Sequence, residues 1–305
     1  KSPIKTEQYN EKVTLHNAYS LWIENISKDC KPNTIAKYER IYRNHISCLD
    51  NYPIANIDCF TVNALTLNLT EKRLSNKTIN DILLVLNMIL KYAAEEYAAD
   101  IPKIKYLKED RKEPRYLSLC EQKRLVYYLK KNMDIHKFGT LLAMFTGIRI
   151  GELCALRWED IKDNSIAINK TMTRVCNNGK SEVIISSPKS ESSVRIIPFP
   201  PELSCYYSQF CKNGYVLSKE GLAFTEPRYM QMKFEKYAKE CDLKNVTFHT
   251  LRHTFATRCI EAGVDAKTVS ELLGHSDTKI TLNRYVHSSF ELKQNSIEKM
   301  QKLLA

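Results

Sequence analysis

The chain has no apolar run approaching the roughly 18 residues that a bilayer-spanning helix needs, so a soluble protein without a membrane partner is expected. It also lacks a basic N-terminal segment followed by an apolar stretch and a small-residue cleavage site, and no export signal is expected. The first residue, Lys1, is not Met, and the sequence is read as a fragment on that ground. Ten cysteines are present, but they are scattered singly and none forms a close pair. That excludes a disulfide framework or a Cys-based zinc module and predicts reduced, mostly buried thiols in a cytosolic protein. Glycine is scarce, eight residues in 305, and none gathers into a loop that could cradle a nucleotide phosphate.

What the chain has in excess is positive charge. The 46 Lys and Arg against 35 Asp and Glu leave a formal +11, which favours a polyanionic partner because bound lysines and arginines release condensed counterions. A well-solvated basic protein with no such partner has the same composition.

Periodicity predicts a mainly α protein with a small antiparallel sheet, an α+β chain in two domains. Residues 1–100 read as a helical bundle. Leu15, Ala18, Tyr19, Trp22 and Ile26 form one stripe, Ile35, Tyr38, Tyr42 and Ile46 a second, and Asn76 to Ala98 a longer, nearly all-round apolar pattern. Two of these helices open on similar polar runs, Lys31-Pro-Asn33-Thr34 with Lys37 one turn on, and Ser75-Asn76-Lys77-Thr78. Such starts suit a phosphate, since backbone N–H groups and positive charge lie together, although ordinary capping uses the same residues. Residues 101–116 break the pattern and read as a basic linker, with Lys103, Lys105 and Arg111 able to cross a phosphate backbone. The second domain, 117–289, starts on a capping box at Ser118 and Glu121 and continues helical through Trp158. Strand-like runs follow at Ile166 to Thr173, Val183 to Ser186 and Val194 to Ile197, with a turn at Asn177-Asn-Gly179. Helices then resume, with Gly263 and Gly274 as stops. Residues 290–305 form an amphipathic tail that needs an apolar surface, its own domain or another subunit.

Four segments of the second domain carry unusual residues: Thr146-Gly-Ile-Arg149-Ile-Gly-Glu152, His249-Thr-Leu-Arg252-His, Leu273-Gly-His275 and Asn283-Arg-Tyr285. Arg149 lies between Ile148 and Ile150 in a predicted core helix, where an unpaired charge is costly, so it needs an anion. Glu152 is one turn on and could orient it or form a plain structural ion pair. His249 and Arg252, three apart on a helix, project from one face. His249 and His253 have the spacing of zinc ligands, yet no third ligand is placed locally, and no metal site is expected.

In that order, these blocks resemble the signature segments of tyrosine recombinases, and the likeness runs from about Ala18 to Tyr285. The first domain resembles the family's helical core-binding domain, and the hairpin residue Lys189 matches the place of a catalytic lysine; Lys170 and Lys180 lie in nearby segments. The resemblance implies that Tyr285, one of 17 tyrosines, attacks a DNA phosphate and forms a 3′-phosphotyrosyl bond. It implies Arg149, Arg252 and His275 as transition-state stabilisers, Lys189 as general acid and His249 as an aid to proton transfer, with no cofactor. From His275 to Tyr285 is ten residues where many members have nine, a departure that bears on helix phasing. Double-stranded DNA is the implied partner, bound by a dimer at one core site and a homotetramer at a Holliday junction, with accessory DNA-bending or directionality proteins. The spellings look most like phage or conjugative-transposon integrases, acting in the bacterial cytoplasm with the nucleoid; chromosome-dimer resolvases are the alternative. A type IB topoisomerase and a catalytically silent DNA-binding protein of the same fold are the rival readings.

Overall fold

The structure, a computed structural model, describes residues 13–97, 99–109, 114–162, 164–177, 180–188, 191–210, 213–218, 224–285, 297–298 and 301. The chain divides into two compact units, residues 1–112 with 175–182, and residues 113–174 with 183–305.

The first unit holds α1 (Leu15–Ser27), α2 (Pro32–Ile41), α3 (Cys59–Glu71) and α4 (Asn76–Tyr97). Thr14 and Asn17 close a reciprocal capping box on α1, and the Asp58 carboxylate accepts from the Thr61 N–H at the start of α3. The core is built from Leu15, Trp22, Ile46, Ile79, Leu86 and Ile89. Tyr38, Tyr42 and Ile46 recur every fourth residue, wider than the 3.6 of an α-helix. After Ile41 the chain loosens into a π turn over Tyr42–Ile46, and Tyr42 and Ile46 both reach the core. Of the expected linker, residues 101–109 form no regular element but are anchored within this unit. Ile101, Ile104 and Leu107 pack against its core. Asn80 brackets the Leu107 backbone, accepting its N–H at 2.8 Å and donating to its carbonyl at 2.9 Å.

The second unit holds α5 (Leu119–Lys130), α6 (Ile135–Thr146) and α7 (Ile150–Ala155), then three strands and the outer parts of two more, then α8 (Ser204–Phe210), α9 (Pro227–Glu240), α10 (Phe248–Glu261), α11 (Ala266–Leu273) and α12 (Thr278–Tyr285). Ser118 and Glu121 form the expected box, with Ser118 N–H donating to Glu121 at 2.8 Å and Glu121 N–H to Ser118 at 3.2 Å. The strands do not make one sheet. β1 (Ile161–Lys162), β2 (Ser165–Ile168) and β5 (Arg195–Pro198) form an antiparallel sheet in the order β1-β2-β5, while among the described residues β3 (Thr171–Asn177) pairs with β4 (Lys180–Ser186) in a separate two-stranded sheet. The run from Ile166 to Thr173 is thus two strands, and Ile168 of the first lies opposite Arg195 of β5. Phe138, Leu141, Leu142, Trp158, Phe234 and Leu251 centre the core, and Ala256, Ile260, Val269 and Leu273 join α10 to α11.

Several expectations require correction. The helical pattern through Trp158 is interrupted at Gly147, and Arg149 is not inside a helix but at the start of one. Cys48, Cys59, Cys120 and Cys205 are exposed, whereas Cys154 and Cys241 are the buried thiols of those described. Of the C-terminal tail, only Ile297, Glu298 and Gln301 are among the described residues.

Candidate active site

The site is assembled where two helices end in left-handed turns. The first is Gly147 at the end of α6, with φ of 66°. A side chain there would be strained, and a Cβ would also meet Phe255 at 2.5 Å and Leu273 at 2.8 Å, so this corner requires glycine twice over. The chain then extends through Arg149, which caps α7. Its backbone N–H donates to Glu152 Oε2 at 2.9 Å and its Nη1 to Oε1 at 2.8 Å. The Ile148-Arg149-Ile150 run therefore places the arginine at a helix mouth, where backbone N–H groups also gather.

The second corner is Gly274, with φ of 64°, at the end of α11. The Gly274 N–H donates to Glu271 O and the His275 N–H to Ser270 O, both at 3.0 Å, which leaves the carbonyls of Leu272, Leu273 and Gly274 facing outward from the helix end. Three guanidiniums take them. Arg195 Nε donates to Leu272 O at 2.7 Å, Arg252 Nη2 to Leu273 O at 2.7 Å, and Arg149 to Leu273 O at 3.3 Å and Gly274 O at 3.0 Å. Arg252 Nη1 also donates to Gly147 O at 2.8 Å, tying the two corners together. Cations at a helix C-terminus interact favourably with its dipole, which contributes to holding three like charges so close.

The carboxylate of Glu152, 3% exposed, sits among them and accepts from Arg195 at 2.8 and 3.2 Å. Burial pushes its carboxyl up, but the hydrogen bonds and charge of Arg195 and Arg149 outweigh that and hold it below the ordinary value. Three guanidiniums against one carboxylate leave two positive charges in excess. The Arg195 side chain is only 6% exposed and Arg252 3%, whereas the Arg149 side chain is 36% exposed. Such a cluster is suited to an anion that approaches on the Arg149 side. A cleft of about 310 Å³ adjoins it, lined by Ile148, Ile150, Arg228, His249 and Arg252 among others.

His275, immediately after Gly274, shares a hydrogen bond of 2.8 Å between its Nδ1 and the hydroxyl of Thr281, which is wholly buried on α12. That bond fixes the ring and directs the other nitrogen, Nε2, away from Thr281. Tyr285 ends α12, one helical turn beyond Thr281. His249 is exposed on α10 with its ring edge-on to His253, centroids 4.6 Å apart, and no group of three His, Cys, Asp or Glu that could hold a metal lies among the described residues. Lys189 lies outside the described residues, and Lys170 is paired with Asp160 at 3.0 Å.

Comparison with known proteins gives the family of the chain. Residues 115–291 match the phage integrase family, and residues 14–59 match the phage integrase N-terminal SAM-like domain. The chain belongs to the phage integrase family. It is 29% identical, over 95% of its length and 83% of the relative's, to a XerC-like tyrosine recombinase of Caldanaerobacter subterraneus subsp. tengcongensis. It is 25% identical to the ICEBs1 integrase of Bacillus subtilis, over 96% of this chain and 84% of that one. The Tn1549 transposon integrase, solved with a circular intermediate DNA, superposes with a TM-score of 0.81 at 23% identity, covering 95% of this chain and 100% of that one. The lambda integrase tetramer bound to a Holliday junction gives 0.68 at 18% identity, covering 95% and 83%. These two share the fold.

For the integrase-type chain, the expected phosphate contacts of the first unit are dispersed. Asn33 and Thr34 lie in the first turn of α2, whose cap residue is Lys31. Lys37 pairs with Asp81 at 3.1 Å, and Asn76 donates its side-chain amide to Lys108 O at 2.8 Å. Lys77, Lys103 and Lys105 are exposed, and Arg111 lies outside the described residues. Sequence reasoning missed Arg195, Thr281 and Arg228, the last of which lines the cleft.

Proposed function

We propose that the chain is a catalytically active site-specific recombinase that integrates or excises a bacterial mobile element. The observation that carries this reading is the meeting of Arg149 and Arg252 on one carbonyl, Leu273 O, two residues before His275 and one short helix before Tyr285. A phosphodiester under attack gathers negative charge on its non-bridging oxygens, and a cluster with two surplus positive charges stabilises that charge most when it is greatest.

The Tyr285 oxygen attacks the scissile phosphorus, its proton passing to His249, while the bond from phosphorus to the 5′-oxygen breaks. Lys189 protonates the departing 5′-oxygen, which leaves a 3′-phosphotyrosyl link and a free 5′-hydroxyl. Arg149, Arg252 and His275 hold the non-bridging oxygens. The partner strand's 5′-hydroxyl then attacks the phosphotyrosine and restores a phosphodiester, so bond energy is conserved and no nucleotide is consumed. Two such exchanges pass through a Holliday junction held by four subunits, paired as dimers on each core site in the bacterial cytoplasm. Asn33, Thr34, Lys37, Asn76, Lys77, Lys103, Lys105 and Arg111 contact duplex phosphates, and the tail from residue 290 docks on a neighbouring subunit.

Covalent trapping tests the reading. The protein is incubated with fragmented DNA of its host, denatured, and purified, and the attached DNA is sequenced. A discrete sequence joined through Tyr285, lost in Tyr285→Phe while DNA affinity is kept, is the expected result. An adduct that persists in Tyr285→Phe moves the nucleophile to another tyrosine, and relaxation of supercoils without exchange between two recovered sites makes the chain a topoisomerase.

A further inference from the structure

The Arg195 side chain is nearly as buried as Arg252 and far more buried than Arg149, yet it makes a different set of bonds. Its guanidinium donates to Leu272 O at 2.7 Å, to Ser193 O at 3.1 Å and to both oxygens of Glu152, at 2.8 and 3.2 Å. It enters from β5, in register with Ile168 of β2, so a sheet rather than a loop holds its backbone. Its side chain also fills the space beside Gly274, where an added Cβ would stand 3.1 Å from Arg195 Cδ and Nη1.

The charge balance makes these contacts consequential. Glu152 is a buried carboxylate with two candidate partners, Arg149 and Arg195. If Arg195 were absent, a buried carboxylate would face Arg149 alone, and Arg149 would be drawn fully to it, because an uncompensated buried charge is costly. With Arg195 in place the carboxylate is already matched by a fixed cation. Arg149 then keeps enough of its positive field for an incoming anion.

We propose that Arg195 is a positioning residue for DNA cleavage: by neutralising Glu152 and fixing the end of α11, it leaves Arg149 available to the scissile phosphate. This inference rests on the recombinase reading. It makes a prediction that a merely structural role does not. Removing Glu152 as well should release Arg149, so the second substitution should repair part of the damage done by the first.

The test uses the full chain and a nicked suicide duplex carrying the sequence recovered by covalent trapping. Single-turnover adduct formation at saturating DNA, duplex affinity and melting temperature are measured for the unsubstituted protein, Arg195→Met, Arg195→Lys and the double variant Glu152→Gln with Arg195→Met. Arg195→Met should slow adduct formation by up to about 100-fold, the scale on which a small misplacement acts, with affinity changed less than about twofold. The double variant should cleave faster than Arg195→Met, and Arg195→Lys, which keeps the charge without the planar fork, should fall between. The inference is overturned if Arg195→Met cleaves at the unsubstituted rate, if the double variant is slower still, or if lost cleavage is matched by lost DNA affinity. Should Arg195→Met fail to fold, Arg195→Lys decides: slowed cleavage at unchanged affinity supports the assignment, and an unchanged rate overturns it. No adduct from the unsubstituted protein would instead overturn the recombinase reading, and this inference with it.

Discussion

In the first unit Lys37 pairs with Asp81 at 3.1 Å with both side chains more than 40% exposed, whereas in the second Arg195 pairs with Glu152 at 2.8 Å with both below a tenth exposed. The two pairs have similar lengths and very different consequences. An exposed pair contributes about 0–1 kcal/mol, is screened by salt, and can exchange its partner for a phosphate at little cost. A buried pair gains or loses several times as much, because separating it strands a desolvated charge. The basic groups of the first unit are therefore suited to following a duplex of varied shape, and those of the second to meeting one phosphate in one geometry.

The largest expected effect is at the buried end of that comparison. Arg252→Lys should keep the charge but lose the fork that now spans Gly147 O and Leu273 O. Cleavage should fall by about 10²–10³, some 3–4 kcal/mol, while duplex affinity stays within a few-fold. Single-turnover adduct formation checks this; an equal loss of affinity would mean that Arg252 serves binding in the ground state.

Acid should reveal the same buried charge through stability. Because Glu152 titrates below its ordinary value in the folded protein, it contributes stability that is fully present above the unfolded-state value, and that contribution is lost as pH falls through the folded value. Glu152→Gln should therefore flatten the acid limb of a stability–pH curve by up to about 1.4 kcal/mol per pH unit, the slope of one proton. Denaturant melts between neutral and acid pH measure it. Parallel curves for the two proteins would show that Glu152 has the same affinity for protons folded and unfolded.

The surface groups should behave in the opposite way. Replacing Lys77, Lys103 and Lys105, all exposed, by alanine should weaken binding on every duplex alike. The log–log salt dependence should become shallower by about one for each phosphate that is no longer neutralised, with the cleavage rate of bound DNA unchanged. Affinity titrations across salt concentrations test this, and an unaltered slope would return these lysines to the solvated surface.

The same division explains what was legible beforehand. Gly147, Arg149, Glu152, Arg252, Gly274 and His275 are close in sequence within their blocks, and the local pattern already implied a cationic site. The helix break before Arg149 is not legible because Gly147 is flanked by helix-compatible residues, and the side chains that crowd it, Phe255 and Leu273, come from distant helices. Arg195 was hidden by its strand. In Val194-Arg-Ile-Ile197 the fully apolar alternating face is Val194 and Ile196, so the pattern turns Arg195 toward solvent, whereas Arg195 shares the inward face with Ile197 and Ile196, 73% exposed, points out. Thr281 was hidden likewise, because a threonine in a polar helix declares no partner until the fold brings His275 to it.

The smallest effect separates the two kinds of pair most finely. Asp81, on α4, holds Lys37, on α2, by one bond from Nζ at 3.1 Å, and both ends are wet. Asp81→Asn removes the negative charge but keeps the shape and a polar oxygen. Stability should change by less than about 1 kcal/mol, since an exposed pair contributes little. Duplex affinity should rise slightly, about twofold, because Lys37 would no longer be shared with a carboxylate and one repulsive charge near the phosphates would be gone. The gain should shrink as salt is raised and become smaller when Lys37 is also replaced by alanine, leaving the part due to Asp81's own repulsion. A double-mutant cycle in Asp81 and Lys37, read by duplex affinity at two salt concentrations, makes the measurement. If Asp81→Asn leaves affinity unchanged at low salt, Lys37 does not face the duplex, and the phosphate contacts of the first unit lie elsewhere.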